Sequence, residues 1–185
     1  MKFIIEHMEP ELFDWCSLEY EHISSFIGKE NLIFTNVPEA ETETFQQWGE
    51  VHHEPFHKLT FDNICLLDPL AKEQLTPQDC KKMDYVLFGG ILGDFPPRKR
   101  TGKLSEHFKG ISRNLGTEQM ATDNAVRCVQ LISQGKTWDS LHFQEGADID
   151  IQEGEQVHLP FRYLVEQGKP FLSPKLIQYI IKNPF

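Results

Sequence analysis

With 185 residues and a hydrophobic content of 39%, the chain is long enough to bury its own core, so we expect one domain spanning residues 1–185. Its 28 acidic and 18 basic residues give a net charge of −10, which disfavours non-specific binding to nucleic acid and favours a cationic partner. Since no apolar stretch has the length of a signal peptide or a membrane span, we expect a cytoplasmic protein without a membrane partner.

The first half of the chain alternates strand patterns with helix patterns. Apolar runs rich in β-formers predict strands at 2–8, 32–35, 63–67 and 84–90. A helix is predicted from Glu9 and Pro10 to Gly28, and another begins at Thr76, which Asp79 follows at the spacing of a capping box. The acidic, aromatic and histidine-rich stretch between 38 and 62 indicates only partial helix and has no clear assignment.

The second half begins with a helix at 104–108, a strand at 111–114 and a helix from 122 to about 135. In the tail, strands are predicted at 141–143, 149–151 and 157–165, followed by a turn at 166–169 and a helix at 174–182. Strands that alternate with helices over the first 135 residues predict an α/β layer with a mainly parallel sheet.

The four cysteines are far apart and form no Cys-x-x-Cys pair. This spacing predicts reduced thiols rather than a zinc knuckle or a disulfide framework. We expect Cys16, Cys65 and Cys128 to lie on apolar faces.

Three loops follow predicted strands, at 67–70, 89–94 and 115–123. Because the carboxyl ends of parallel strands meet along one edge, these loops are expected to converge there. Their small residues, apolar side chains and carboxylates suit an adenine nucleoside without a phosphate. The phosphate-binding patterns Gly-x-Gly-x-x-Gly and Gly-Lys-Ser/Thr are both missing. Spacing alone leaves open the alternative that these are three ordinary turns.

Family motifs occupy the same three loops. They are Leu-Leu-Asp-Pro at 66–69, Phe-Gly-Gly-Ile-Leu-Gly-Asp at 88–94, and Leu-Gly at 115–116 followed by Gln119, Met120, Thr122 and Asp123. Together with the segments 4–9 and 159–163, they resemble a eukaryotic and archaeal family of S-adenosylmethionine-dependent methyltransferases in the SPOUT superfamily. Its yeast representative is a protein arginine methyltransferase that acts on a small-subunit ribosomal protein. The resemblance covers nearly the whole chain apart from about residues 38 to 60.

This resemblance implies an α/β fold in which a SPOUT-type parallel sheet is flanked by helices and carries a C-terminal trefoil knot. General rules of chain connection would argue against a knot. The resemblance also implies that S-adenosylmethionine is held by Leu67, Asp68, Pro69, Gly89, Gly90, Gly93, Leu115, Gly116, Met120 and Thr122. The loops have the same order in the bacterial SPOUT tRNA guanine methyltransferases, which supports the cofactor and leaves the acceptor open.

A guanidinium is a poor nucleophile because its lone pairs are delocalised and it stays protonated. Carboxylates must therefore orient it and share its proton as the methyl group arrives. The catalytic candidates are Asp94, Glu6, Glu9 and Glu19. Asp94 is the first choice because it lies in the glycine loop, although it can equally cap the following turn, and Glu19 is expected on the solvated flank of the first helix.

Other polar residues have competing interpretations. Asp123 can contact the cofactor or favour the first turn of a helix, and Arg98 can bind an acidic group or remain solvated. His53 and His57 have the i, i+4 spacing of a helical metal-binding pair, but Pro55 interrupts the helix, so no metal is predicted.

The sequence therefore predicts a methyltransferase that modifies arginine in a ribosomal protein of the small subunit. One alternative is a SPOUT methyltransferase of rRNA or tRNA, which the basic run Arg98, Lys99, Arg100 and Lys103 favours. Another is a catalytically silent module that docks on ribosomal proteins. Both a monomer and a homodimer are compatible with the sequence.

Overall fold

The computed structural model describes residues 1–90 and 102–184. The strands are β1 (Lys2–His7), β2 (Leu32–Thr35), β3 (Glu50–Val51), β4 (Ile64–Leu67), β5 (Tyr85–Gly90), β6 (Ile111–Arg113), β7 (Phe143–Gln152), β8 (Glu155–Glu166) and β9 (Lys169–Pro170). The helices are α1 (Asp14–Ile27), α2 (Thr42–Phe45), α3 (Pro77–Cys80), α4 (Gly102–His107), α5 (Thr122–Ser133) and α6 (Pro174–Lys182). Short 3₁₀ turns occupy Lys29–Asn31, Glu39–Glu41, Phe56–Lys58 and Trp138–Ser140.

The first six strands form one parallel sheet in the order β3-β2-β1-β5-β4-β6. The last three form a separate antiparallel sheet in the order β7-β8-β9. The prediction of an α/β layer with a mainly parallel sheet is therefore confirmed. In the parallel sheet, Glu6 is in register with Thr35 on one side and with Gly89 on the other, so the carboxyl ends of β2, β1 and β5 are neighbours.

Side chains of β1 alternate between two cores. Ile5 belongs to the larger core, in which residues of α1 and α5 pack against the sheet, whereas Ile4 packs with Phe56 and Leu104 on the opposite face. Because successive residues of a strand point to opposite faces, Glu6 shares the face of Ile4, and His7 shares the face of Ile5.

Helix α1 begins at Asp14, so the predicted start at Glu9 and Pro10 is wrong. The backbone of Phe13 is extended, and no side chain caps the helix there. Just before it, the amide of Leu12 donates a hydrogen bond of 2.8 Å to Oε1 of Glu41. The carboxylate of Glu41 therefore holds the backbone just before α1 in a non-helical position, although the local sequence pattern had assigned these residues to the helix.

One strand, β7, begins at the last residue of the strand predicted at 141–143 and includes all of the strand predicted at 149–151, whereas Leu141 and His142 lie outside any strand. Its pairing with β8 shifts register between Glu145 and Ala147, where Gly146 has a φ of +73°. Such an irregularity breaks the alternation of polar and apolar residues, which explains why the sequence suggested two strands. In the unassigned stretch the structure adds the short parallel strand β3. The capping box of Thr76 and Asp79 is confirmed at the start of α3.

All four cysteines are buried and unbridged, in agreement with the prediction of free thiols. Burial raises the pKa of the Cys80 thiol to about 11 and that of the Cys65 thiol to about 12, which keeps both groups protonated at neutral pH. Within the described ranges, no helix combines the length and the apolar character required to cross a bilayer.

Glu19 lies at the contact between α1 and α5, and the prediction of a solvated position is wrong. Its side chain accepts hydrogen bonds from Nε1 of Trp15, at 2.8 Å, and from both the backbone N–H and the hydroxyl of Thr122. Thr122 opens α5, so a carboxyl group on one helix satisfies a donor at the start of another. Burial, and secondarily the charge of Asp123, raise the pKa of Glu19 to about 8.

The start of α5 is also tied to the antiparallel tail. Asn124 is fully buried, accepts a hydrogen bond of 2.9 Å from the amide of Leu164 and donates one of 3.0 Å to the carbonyl of Phe171. Asp123 lies 2.8 Å from Nδ1 of His22 on α1. The first turn of α5 therefore joins α1 to strand β8 and the segment that follows β9.

We expect Asn124→Ala to lower the free energy of unfolding by about 3 kcal/mol, because it leaves the amide of Leu164 and the carbonyl of Phe171 buried without partners. Urea denaturation followed by circular dichroism measures the change. Asn183→Ala, at an exposed position after α6, is the matched control and is expected to stay within about 0.5 kcal/mol of the wild type. Equal effects of the two substitutions would contradict this account.

The raised pKa of Glu19 predicts that stability falls as pH rises. An unfolded chain releases this proton near pH 4.5, whereas the folded protein holds it until about pH 8. The contribution of Glu19 protonation to the free energy of unfolding is complete below pH 4.5 and is lost as pH rises through about 8. Between these values the free energy of unfolding falls by up to about 1.4 kcal/mol per pH unit.

Glu19→Gln stays neutral at every pH, so its unfolding free energy is expected to depend less steeply on pH between 5 and 8 than that of the wild type. Urea denaturation of both proteins across this range measures the difference. Parallel pH dependences would show that Glu19 ionises normally in the folded state.

Candidate active site at the carboxyl edge of the sheet

The three predicted loops begin at one edge of the parallel sheet. Strands β5, β4 and β6 are adjacent, and β4 follows the same direction as both neighbours. Leu67 at the end of β4 pairs with Arg113 at the end of β6, and the amide of Asp68 donates to the carbonyl of Arg113 at 2.9 Å. Gly93 and Asp94 lie outside the described residues.

The first loop is held by its own carboxylate. Asp68 is buried, and its Oδ1 accepts a hydrogen bond of 2.8 Å from the amide of Leu70. Its Oδ2 accepts one of 2.5 Å from the hydroxyl of Ser105 on α4. Leu67 is buried in the larger core, whereas Pro69 is exposed. In this structure Asp68 therefore fixes the shape of the loop and joins it to α4.

The second loop begins at a close approach between β5 and α1. A Cβ atom on Gly90 would lie 2.5 Å from the hydroxyl of Tyr20 and 2.7 Å from Cγ2 of Ile5. The carbonyl of Gly90 accepts a hydrogen bond of 3.1 Å from the amide of Met8. Glycine is required at position 90 because α1 packs there. Gly89, its neighbour, is half-buried beside Glu6.

The third loop contains a left-handed turn and a buried acceptor. Gly116 has a φ of +82°, and its amide donates to Oδ1 of Asn114 at 3.0 Å. The carbonyl of Gln119 accepts a hydrogen bond of 2.9 Å from the amide of Arg162, and Met120 forms a β-bridge to that residue. In the part of the chain that the structure describes, the side-chain oxygen Oε1 of Gln119 is buried and has no hydrogen-bond partner.

These residues fit an adenosine-containing cofactor. Leu67 and Leu115 belong to the larger core, and the half-buried Met120 packs against that core. Apolar surface that suits a flat ring therefore lies beside this edge of the sheet. The unpartnered Oε1 of Gln119 can accept a hydrogen bond from an amino or hydroxyl group. The edge therefore combines apolar walls with a small number of polar groups, as small-molecule sites do.

Glu6, a described catalytic candidate, is held by two hydrogen-bond donors at the end of β1. It is 5% exposed, and its Oε2 accepts hydrogen bonds of 2.5 Å from the hydroxyl of Thr35 and 2.9 Å from the amide of Phe56. Desolvation by burial raises the pKa of Glu6, and these two hydrogen bonds oppose the rise. Both donors fix the carboxyl group at the end of β1.

The structure does not bring the described candidates to one point. Glu6 faces Phe56 on the side of the smaller core, whereas Glu19 contacts Thr122 between α1 and α5. Glu9 follows β1 and is close enough to His7 and Tyr20 to influence the pKa of each. Glu19 is hydrogen-bonded to Thr122, which belongs to the third loop and is one of the predicted cofactor residues.

Sequence reasoning missed His7, a fully buried residue at the end of β1. Its Nδ1 lies 3.1 Å from the hydroxyl of Tyr20, and its Nε2 lies 4.0 Å from Oε2 of Glu41. Among the described residues, neither Nε2 of His7 nor Oε2 of Glu41 has a hydrogen-bond partner. Desolvation lowers the pKa of His7, although Glu41 and Glu9 raise it. The available sequence signal was the polar pair Glu6 and His7, which ends β1 directly after the apolar residues Phe3, Ile4 and Ile5.

The three histidines near position 55 have separate partners. His52 contacts Oε1 of Glu50 at 2.9 Å, and His53 contacts the carbonyl of Val37 at 2.9 Å. His57 stacks on His107 of α4, with ring centroids 4.6 Å apart. No group of three metal-ligating side chains occurs in the described parts of the chain, 1–90 and 102–184.

The chain matches a family model described as "Protein arginine N-methyltransferase SFM1-like" over residues 2–184. It is 38% identical to protein arginine N-methyltransferase SFM1 of Saccharomyces cerevisiae, an alignment that covers 99% of this chain and 95% of the yeast protein.

Its fold matches solved structures of the yeast enzyme. The SFM1 complex with SAH has a TM-score of 0.89 and 36% identity, covering 97% of this chain and 94% of the other. The complex with SAM has a TM-score of 0.88 and 37% identity, covering 98% and 90%. A Trm10 of Thermococcus kodakaraensis shares the fold at a TM-score of 0.60 and 20% identity, covering 75% and 95%. The chain belongs to the SFM1-like family of protein arginine N-methyltransferases.

Proposed function

We propose that the protein is a cytoplasmic protein arginine N-methyltransferase that modifies a ribosomal protein of the small subunit. Membership of the family makes the chain an S-adenosylmethionine-dependent methyltransferase, and arginine methylation is the activity in the family's description. The observation that carries the proposal is 38% identity to the yeast arginine methyltransferase over 99% of this chain. The common edge from which the three loops depart supports it.

S-adenosylmethionine supplies an electrophilic methyl group when it is bound. Leu67, Leu115 and Met120 form the apolar side of the proposed site, and Thr122 begins the helix that follows it. Asp68 holds the first loop in shape through Leu70. The full set proposed to line the cofactor remains Leu67, Asp68, Pro69, Gly89, Gly90, Gly93, Leu115, Gly116, Met120 and Thr122.

We also propose the SPOUT-type knot within a single domain of residues 1–185. The strand order meets one requirement of this topology, because β4 lies between β5 and β6 and the connection from β5 to β6 passes across it. The carbonyl of Arg113 accepts a hydrogen bond from the amide of Asp68, so the end of β6 is hydrogen-bonded to the first loop.

In the proposed reaction, carboxylates orient the target guanidinium and take its proton. Asp94 remains the first candidate, and Glu6 and Glu9 are the others at the end of β1. We assign Glu19 a positioning role, because its contacts are with Trp15 and Thr122. The effect required of the site is alignment of donor and acceptor, which can supply about 7–11 kcal/mol.

The net charge of −10 supports a cationic protein substrate. A ribosomal protein offers the positive charge that complements this surface. Methylation of rRNA or tRNA is the alternative, and the exposed Lys103 is the described member of the basic run that favours it.

The acceptor is tested with isotopically labelled S-adenosylmethionine and unmethylated small ribosomal subunits. We expect the label to survive ribonuclease and to appear in arginine-containing peptides after protease digestion. Label released with nucleotides would assign the acceptor to RNA, and the same assay without subunits measures background transfer.

Asp94→Asn is expected to reduce turnover by about 100-fold, because the substitution removes the carboxylate that accepts the proton. Cofactor affinity, measured by calorimetry with S-adenosylmethionine, is expected to stay unchanged. Asp62→Asn, the same substitution at an exposed position, is the control and should keep full turnover. An Asp94→Asn enzyme with the wild-type rate would remove Asp94 from the catalytic set.

A further inference from the structure

A cavity of about 220 Å³ opens between the carboxyl ends of β1 and β2 and helix α4. Its walls include Glu6, Asn36, Phe56 and Leu104. The cavity lies on the face of the smaller core, opposite the face on which α1 and α5 pack. Its volume is below the roughly 300–1,000 Å³ of small-molecule sites, so it suits one side chain rather than a nucleoside.

The carboxyl group of Glu6 is buried and lines this cavity. Oε2 of Glu6 is occupied by Thr35 and Phe56, whereas Oε1 has no hydrogen bond to any described residue. No ion pair of Glu6 occurs within residues 1–90 and 102–184 either. Buried carboxylates are costly unless a cation or several donors compensate them. The free oxygen is therefore suited to a cationic donor that enters the cavity.

Asn36 supplies a second acceptor at the same wall. It follows β2 in the left-handed conformation, with a φ of +59°, and its amide donates to the carbonyl of Glu54. Its Nδ2 donates to the carbonyl of His7 at 2.7 Å. Because the nitrogen of the side-chain amide is used in this way, Oδ1 is the atom left to accept a hydrogen bond from a ligand.

Part of the remaining lining is apolar and aromatic. Phe56 is buried, and its ring packs with Leu104 in the smaller core, with Met8 beside them. A planar cation gains from an aromatic ring by a cation–π contact, most strongly where water is excluded. A guanidinium is planar and carries only N–H donors, so two acceptors can bind its donors and an aromatic ring can stack on its flat face.

The cavity is also in the right place in the fold. Glu6 is paired in register with Gly89, at the strand end from which the second proposed cofactor loop departs. A group bound to Glu6 therefore lies next to the edge from which the three loops depart.

We propose that this cavity receives the side chain of the target arginine and that Oε1 of Glu6 accepts a hydrogen bond from its guanidinium. The inference rests on the proposed function, since it names the acceptor site of the same reaction. Lys103, His57 and His107 also line the cavity, and all three are exposed. A target arginine would therefore share the cavity with the positive charge of Lys103, which opposes its binding.

The test uses Nα-acetyl-arginine N-methylamide as the probe and the citrulline analogue as its uncharged match. Binding to the whole protein with SAH present is followed by amide chemical shifts, with Phe56 and Asn36 as reporters. We expect the arginine probe to shift these signals and the citrulline probe to bind about tenfold or more weakly, because one charge-assisted hydrogen bond is lost.

Glu6→Gln is expected to weaken the arginine probe about tenfold, whereas Glu54→Gln, at an exposed nearby position, should leave its affinity unchanged. Phe56→Leu keeps the backbone donor to Glu6 and removes the ring, so a loss of about threefold or more is expected. This second variant keeps the test decisive if Glu6→Gln fails to fold. Lys103→Met should bind the probe at least as tightly as the wild type.

Several outcomes would overturn the proposal: equal binding of the two probes, unchanged affinity in both Glu6→Gln and Phe56→Leu, or reporter shifts that saturate with inorganic phosphate and not with the arginine probe. Failure of the proposed function is distinguishable, because it would appear as wild-type protein that binds S-adenosylmethionine in calorimetry but transfers no label to protein. In the assay with labelled S-adenosylmethionine and unmethylated subunits, Glu6→Gln should raise KM for the subunit and leave cofactor affinity unchanged.

Discussion

The parallel register of β1 between β2 and β5 is the constraint on which both halves of the site depend. It places Glu6 level with Thr35, which donates to its carboxyl group, and level with Gly89, at the start of the glycine turn. A slip of one residue would exchange the faces of Glu6 and His7. The acceptor cavity on one side of the sheet and the buried histidine on the other therefore share a single alignment of strands.

The third loop is positioned by contacts from two directions. Glu19 on α1 bonds to Thr122, and Asn124 bonds to the tail through Leu164 and Phe171. Because α5 is fixed in this way, the end of the third loop at Thr122 has little freedom. The start of the loop is held by the hydrogen bond from the amide of Gly116 to Asn114. The antiparallel tail thus contributes to the proposed site by holding one of its loops.

Strand patterns and caps predicted the parallel sheet, because buried apolar runs and capping boxes are local signals. The start of α1 was not predictable in this way, since Glu41 holds the amide of Leu12 from 29 residues away. Glu19 was assigned to solvent because its partner, Thr122, is distant in sequence. Ten proposed cofactor residues came from motifs, whereas the cavity beside Glu6 depends on Asn36 and Phe56, for which no motif existed.

The segment between 38 and 60, which the sequence motifs left out, lies inside the family match over residues 2–184 and contacts both polar residues at the end of β1. The amide of Phe56 bonds to Glu6, and the carboxylate of Glu41 lies 4.0 Å from His7. This segment therefore forms the surroundings of both polar residues: Phe56 helps to hold the carboxyl group of Glu6 and lines the cavity beside it, and Glu41 opposes the burial that lowers the pKa of His7.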